Sequence, residues 1–168
     1  MPGVLYQVNG PAVIYLSGGR ISATGKMALG ICRDRVQIRI NQYENPIHAD
    51  NAGPHIPADM QDMGKDALIR FTLSEFDPAV LDLMTIRGNA ADPGSIGAIG
   101  LPLGSSGTSF RLHIPSNYKP WTFWTCVLRS REDAVGSEYS LIHLEVHAFA
   151  LVGNQLTANG ARLYSNTF

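Results

Sequence analysis

Val36-Gln37-Ile38-Arg39-Ile40, then a polar run from Tyr43 to Lys65, then Ala67-Leu68-Ile69-Arg70-Phe71-Thr72-Leu73 and Asp77-Pro78 make up the stretch, residues 33–87, whose reading decides the fold. Along an extended chain Val36, Ile38 and Ile40 share one side while Gln37, Arg39 and Asn41 share the other. That alternation predicts a strand with one core face and one face that is wet or held by a partner. Ala67 to Leu73 predicts a second strand. Between them Pro46, Pro54 and Pro57 deny backbone donors to a ladder, and Asn51-Ala52-Gly53-Pro54 is a turn signal, so Tyr43 to Lys65 reads as a stiff irregular loop. Hairpin loops usually take about 2 to 5 residues, so an excursion of roughly twenty predicts contact with something.

The loop carries Ile47, Ile56, Met60 and Met63 among acidic and amide residues. Four large apolar side chains predict docking on the loop's own domain or on a neighbour, and with His48 and Asp50 they are the candidate subunit-interface residues. Asp77 and Pro78 then open a helix over residues 77–87. The aspartate accepts from orphan amides, and proline at the first helical position forfeits no hydrogen bond. Val80, Leu81, Met84 and Leu83 give the apolar stripe, and Gly88-Asn89 ends it.

Working outward, Val4 to Val8 and Ala12 to Leu16 flank an Asn9-Gly10-Pro11 turn signal and predict an N-terminal hairpin or an arm that pairs with a neighbouring chain. Met27 to Cys32 is strand-like. Residues 89–108, rich in Gly, Pro, Ser and Ala, predict a second loop region with short strand fragments around Ile96 to Leu103. Phe110 to Ile114, Trp121 to Leu128 and Leu141 to Val152 predict strands, with Arg129 to Glu138 as a connection and Leu156 to Phe168 as a tail. In Leu141 to Val152 the even positions Ile142, Leu144, Val146, Ala148 and Ala150 oppose His143, Glu145, His147 and Phe149. Many strands, one helix and no βαβ alternation predict a mainly β fold, an antiparallel sandwich or barrel with a flanking helix, built as a single β-rich assembly domain over residues 1–168 with a protruding loop at 43–65 and terminal arms.

Apolar residues make up 45% of the chain, enough for a core. Thirteen Lys+Arg against fourteen Asp+Glu leave a net charge of -1, which excludes a global pull toward nucleic acid or anionic membrane. Charged residues are 16% of the chain, against about 25% in typical domains, which favours an oligomer with much surface covered. Cys32 and Cys126 lie in apolar runs without CxxC spacing and read as buried free thiols. The start, Met-Pro-Gly-Val-Leu-Tyr, lacks the pattern of a signal peptide, and no apolar run approaches the ~20 residues of a membrane helix. Folding in a reducing cytoplasm is the expectation.

No motif for catalysis stands up. His143, Glu145 and His147 share a strand face, but the two histidines lie about 13 Å apart at ~3.4 Å per residue, too far to share one metal easily. A polar sheet face or subunit interface is the ordinary reading. Gly104-Ser105-Ser106-Gly107 lacks the spacing of a nucleophile elbow, and Gly97-Ala98-Ile99-Gly100 follows no phosphate-binding pattern. Asp50, Asp59, Asp62 and Asp66 miss the spacing of a calcium loop. Tyr118, Trp121, Phe123 and Trp124 concentrate aromatic surface beside Arg111 and Lys119, yet without a basic groove for nucleotides. Trp121 and Phe123 read as core and Trp124 as an interface anchor. No catalytic, metal-ligating or cofactor-binding residue is assigned.

The order of these features, with Gly64-Lys65-Asp66-Ala67-Leu68-Ile69-Arg70-Phe71-Thr72-Leu73-Ser74-Glu75-Phe76-Asp77 and Gly136-Ser137-Glu138-Tyr139-Ser140-Leu141-Ile142-His143-Leu144, resembles the tail-tube (major tail) proteins of tailed bacteriophages and related virion structural proteins. The resemblance is one of layout over most of the chain. It implies a β-sandwich or barrel protomer in hexameric rings that stack around a DNA channel, with Tyr43 to Lys65 as the inter-ring loop and the terminal segments bridging neighbours. It implies as partners the chain itself, other tail or neck proteins and passing DNA, and a place in the virion after assembly in the host cytoplasm. Related collar, tail-terminator and baseplate-hub proteins share this architecture, and a capsid decoration protein, also a compact β-rich assembly module, is a further alternative. A metal- or sugar-binding β-sandwich centred on His143, Glu145 and His147 is the rival from another class.

Overall fold

A computed structural model describes residues 12–48, 57–103, 108–116, 119–136, 140–150 and 163–166. The elements are β1 Val13–Gly18, β2 Ser22–Cys32, β3 Gln37–Ile47, β4 Asp59–Phe76, α1 Pro78–Thr85, β5 Phe110–Ile114, β6 Trp121–Val135, β7 Ser140–Phe149 and β8 Tyr164–Ser165. Every pairing is antiparallel. Hydrogen bonding runs β2-β1-β5-β6-β7-β4, and β4 returns to β2, so these strands close a barrel with β3 attached outside the ring along β4. The fold is mainly β with one flanking helix, as the strand pattern predicts.

The barrel is filled by alternate residues, as a period of two demands. On β7 the inward residues Ile142, Leu144, Val146 and Ala148 are buried opposite Leu73, Phe71, Ile69 and Ala67 of β4. Ile14, Leu16, Leu29, Leu112, Phe123 and Cys126 complete the filling from the other strands. In α1 the Asp77 carboxylate accepts from the amides of Ala79 (2.9 Å) and Val80 (3.4 Å), with Pro78 in the first turn. The helix buries Val80, Leu81 and Met84 beside β2 and β6. It ends at Thr85, and Gly88 (φ +55°) begins the loop that follows. Both cysteines are buried and free, and burial pushes the Cys32 thiol up to about 12.

Three expectations need correction. The segment Tyr43 to Lys65 is not one irregular loop. β3 and β4 stay paired from Gln37↔Arg70 out to Ile47↔Asp59, and residues 49–56 lie outside the described set. Pro46 is tolerated because β3 is an edge strand whose outer side needs no donors. Residues 129–135 likewise belong to β6, paired with β7 as far as Val135↔Ser140. The fragments expected around Ile96 to Leu103 form no strand among the described residues: Gly97 and Gly100 (φ +91°) break the run, and Asn89 Oδ1 takes the Ala98 amide at 2.7 Å. Val4 to Val8, expected to form a hairpin with Ala12 to Leu16 or an arm, lie outside the described residues, and both edges of β1 are in use over Tyr15–Ser17, by β2 and by β5.

Closure of the ring rests on a short seam, Gly30↔Phe76, Ile31↔Glu75 and Cys32↔Leu73. A Cβ on Gly30 would lie 2.0 Å from the Glu75 carbonyl oxygen and 2.8 Å from the Phe76 Cα, and neither is a movable side-chain end. On the far side of the barrel His113 is buried, with Nε2 2.7 Å from Ser17 Oγ and Nδ1 3.2 Å from Thr122 Oγ1. Two hydroxyls, each able to donate or accept, suit a neutral imidazole in either tautomer. Burial first, then the charges of Lys26 and Arg111, lower its pKa to about 4.

Gly30→Ala is expected to cost roughly 1–3 kcal/mol in a urea titration, the usual range for forcing a methyl group into filled space. The folded pKa of His113 lies below the unfolded value of about 6.5, so the unfolded chain takes up the proton first as pH falls. Stability should therefore drop between about pH 6.5 and pH 4, by up to ~3 kcal/mol from this residue. In His113→Gln the same denaturant series should flatten across that window; an unchanged slope would assign the acid sensitivity elsewhere.

Candidate functional site

The ribbon formed by the outer halves of β3 and β4 is the feature that a self-contained barrel does not require. β7 accompanies β4 only as far as Asp66↔Phe149, so β4 residues 59–65 pair with β3 alone among the described residues. At its root the register slips between Tyr43 and Glu44, where Tyr43 faces Gly64 and Glu44 faces Asp62. Gly64 has φ +99°, and its amide donates to Asp62 Oδ1 at 2.8 Å. A bulge of this kind bends a ribbon and strengthens its twist, and a side chain is strained at that φ.

Asp66 ties the root down. It accepts from Asn41 Nδ2 (2.8 Å), from the Tyr43 hydroxyl (3.1 Å) and from His147 Nε2 (2.7 Å), which joins β3, the ribbon and β7 through one carboxylate. Burial alone would raise its pKa, but the bonds from Asn41, His147 and Tyr43 outweigh it, and the carboxyl lies below its ordinary value. The same bond raises the Tyr43 phenol, since losing its proton would break a donor contact beside an anion.

The expected interface residues fall into separate groups. Ile47 shares a ribbon face with Asn45 and Tyr43, whereas Met60 lies opposite Pro46 on the other face, with Glu44 and Asp62. Ile47 (44%), Met60 (45%) and Met63 (59%) are exposed, and His48 is exposed at the end of β3. Asp50 and Ile56 lie outside the described residues. Trp124 is not on the ribbon. It is half-buried on β6 with Arg111 5.3 Å from its ring centre, and its Nε1 is buried without an acceptor among the described residues. Phe123 is fully buried, and Trp121 stacks on it at 5.7 Å. Asp59 and Asp62 lie on opposite faces of the ribbon, apart from the Asp66 network.

His143, Glu145 and His147 line the outer face of β7 as the alternation predicts, each with its own partner. His143 Nδ1 is 2.8 Å from Thr72 Oγ1, Glu145 pairs with Arg70 and with Arg129 (3.2 Å), and His147 meets Asp66. Arg131 pairs with Asp133 at 2.7 Å. An open hollow of about 330 Å³ over this face is lined by Asp34, Arg35, Arg70, Glu132, His143 and Glu145, so charges of both signs share it.

Sequence reasoning missed a second group of exposed apolar residues, Ile96 (89%), Ile99 (93%) and Val135 (82%). The available signal was the absence of any charged residue from Pro93 to Phe110. The loop that carries the isoleucines is held from below: Arg20 donates to the Gly88 carbonyl, and the Gly88 amide donates to Thr108 Oγ1 at 2.5 Å.

No family model and no curated protein matches the sequence. One solved structure, the tail of an empty GTA particle obtained by helical refinement with C6 symmetry, aligns over 94% of this chain and 96% of its own, at 8% identity and a TM-score of 0.46.

Asp66→Ala should release Tyr43 from the root of the ribbon. In NMR titrations of ring-labelled tyrosine, the Tyr43 phenol is expected to titrate above the ordinary value of about 10 in the parent and to fall back toward it in the variant. Equal titration in both proteins would show that the Asp66 contact does not form in solution.

Proposed function

We propose that this chain is a structural subunit of a phage-like tail, forming the tail tube as stacked homo-oligomeric rings, hexameric as the sequence resemblance implies, around a channel for DNA. The observation that carries the reading is the β3–β4 ribbon, which leaves the barrel still paired, exposes Ile47, Met60 and Met63, and leaves its strand edges uncovered among the described residues. Exposed strand edges invite pairing with another chain, so proteins that do not assemble cover or blunt them. From Tyr43 to Ile47 the ribbon reaches roughly 14 Å past its root at about 3.4 Å per residue, enough to cross onto a neighbour.

Ile47 with Tyr43 on one face and Met60 with Pro46 on the other would let the ribbon sit between two surfaces of the adjoining ring. His48 would lie toward its tip, and Asp50 and Ile56 remain candidate contacts outside the described residues. Trp124 would serve a lateral contact. The charge balance supports passage of DNA, since a strongly basic channel would hold phosphates through counterion release. Arg70, Arg129 and Arg131 each have a carboxylate partner, which limits that attraction further. The reading assigns no catalytic step, cofactor or membrane anchor. Its partners are further copies of the chain and other tail or neck proteins, within a virion assembled in the host cytoplasm.

The register supplies a clean test. Gln42 faces Lys65, so replacing residues 43–64 by an Asn-Gly turn should leave the barrel pairs intact. Negative-stain images of the parent are expected to show rings and tubes, and the shortened protein should keep its far-UV spectrum but form no tubes. Tubes of normal length from the shortened protein would exclude the ribbon as the stacking device, and a parent that stays monomeric at all concentrations would exclude the tube.

A further inference from the structure

The loop after α1 is built so that it holds apolar side chains out in water. Asp92 accepts from the Gly94 amide (2.9 Å) and the Ser95 hydroxyl (2.7 Å), Asn89 Oδ1 takes the Ala98 amide, and the Ala90 amide donates to the Arg87 carbonyl at 3.0 Å. These bonds are internal to the loop, so its course does not rest on burying Ile96 and Ile99, which stay almost fully exposed. Beside them lies an open hollow of about 350 Å³ lined by Pro93, Ile96, Ile99, Leu101 and Leu103, in which Arg87 is the one charged residue among the described residues. Contiguous exposed apolar surface marks a place of contact.

Its position in the fold selects the occupant. Arg20, in the turn between β1 and β2, donates to the Gly88 and Ala90 carbonyls and so ties the loop to that turn. β2 meets β4 only from Cys32↔Leu73 to Gly30↔Phe76, and its earlier residues run on past the end of β4. The turn, and the hollow with it, therefore lie at the end of the barrel away from Asp59 and the ribbon. Thr108 agrees: it accepts from the Gly88 amide and leads into Phe110, which faces Cys126 where β6 sets out toward Val135. A ribbon that leaves one end of the barrel meets a hollow at the other end on a different molecule.

We infer, resting on the stacked-tube reading, that the hollow receives the Met60 face of the ribbon from a second copy in the next ring. The two surfaces match in chemistry. On that ribbon face Met60 and Pro46 lie with Glu44 and Asp62, whereas the opposite face carries Asp59 as its one carboxylate among the described residues. In the hollow, isoleucines and leucines surround Arg87. Arg87 donates to the Leu128 carbonyl at 2.6 Å and Arg20 to backbone carbonyls, and neither has a carboxylate partner among the described residues. Glu44 and Asp62 likewise have no cation partner among them. Apolar surface thus meets apolar surface, and two carboxylates meet two guanidinium groups whose charge is unbalanced. An unbranched methionine suits an irregular hollow. The contact is heterologous, so it repeats along the stack.

The test mixes full-length Met60→Cys and Ile99→Cys proteins under conditions in which the parent forms tubes. Met60→Cys mixed with Arg39→Cys is the control, since Arg39 is exposed on the side of the barrel. After mild oxidation and N-ethylmaleimide block, peptide mass spectrometry is expected to find the intermolecular disulfide between positions 60 and 99 at roughly ten times the yield of the control pair or more. Cys32 and Cys126 are fully buried and should stay reduced. Separately, Ile96→Ser combined with Ile99→Ser should keep the far-UV spectrum and raise the concentration needed for tubes roughly tenfold or more. Glu44→Lys should raise it as well, by a factor that shrinks as salt is added. Equal yields in the two pairs, a dominant bond between two copies of position 60, or tubes at the parent's concentration from the serine variant would overturn the inference and leave the tube reading standing. A parent that stays monomeric at all concentrations would overturn both.

Discussion

The structure depends on how β4 uses one edge. Over its eighteen residues that edge is held first by β3 and then by β2, while β7 takes the opposite edge from Asp66 to Leu73. The change of partner between Arg70 and Leu73 is what closes the barrel, and it succeeds only because Gly30 lets the two backbones approach closer than any side chain permits. Ring closure removes the edges of the core strands. It also forces β3 outside the ring, because the position it would otherwise occupy belongs to β2. The ribbon is thus a by-product of closure: β4 is longer than the barrel, and among the described residues its surplus pairs with β3 alone.

That origin explains why the ribbon was hard to read and the barrel was not. On β7 burial on one side and water on the other write an alternation that needs no structure to interpret, and Ile142 to Ala148 show it. Asp77-Pro78 marks the helix start through chemistry local to two residues. In the ribbon neither face is buried, so Tyr43 to Ile47 and Asp59 to Lys65 carry no period of two, and Pro46 and Gly64 look like breakers when one is an edge residue and the other a bulge. The end of β6 went unread for the same physical reason. From Arg129 to Val135 it is exposed on both sides, and among the described residues pairing with β7 alone keeps it extended.

The polar outer face was legible as a face but not as a network. A strand pattern places His143, Glu145 and His147 together, and nothing in it announces that Thr72, Arg70 and Asp66 stand one strand away in register to occupy them. Partners across a sheet are set by register, which a single strand does not encode. With those partners in place the face becomes a set of cross-strand pairs, His143 with Thr72, Glu145 with Arg70 and Arg129, and His147 with Asp66. Its consequence is mechanical: through Asp66 it fixes the root of the ribbon to β7, while the bulge at Gly64 sets the direction in which the ribbon departs.

Strand direction then separates the two exposed regions. β4 runs from the ribbon at Asp59 to the helix after Phe76, and β7 runs the other way, from the Val135↔Ser140 pair to Phe149 beside Asp66. The ribbon and the exposed Val135 therefore lie at opposite ends of the barrel. A surface that meets a different surface on the next copy makes a heterologous contact, which repeats without limit unless rotation closes it into a ring. Contacts along the barrel axis give stacking, and contacts around it give a closed ring. A protomer with unlike ends and a laterally closed core carries the polarity that an open stack needs, and in the tail reading the ribbon supplies the step from one ring to the next.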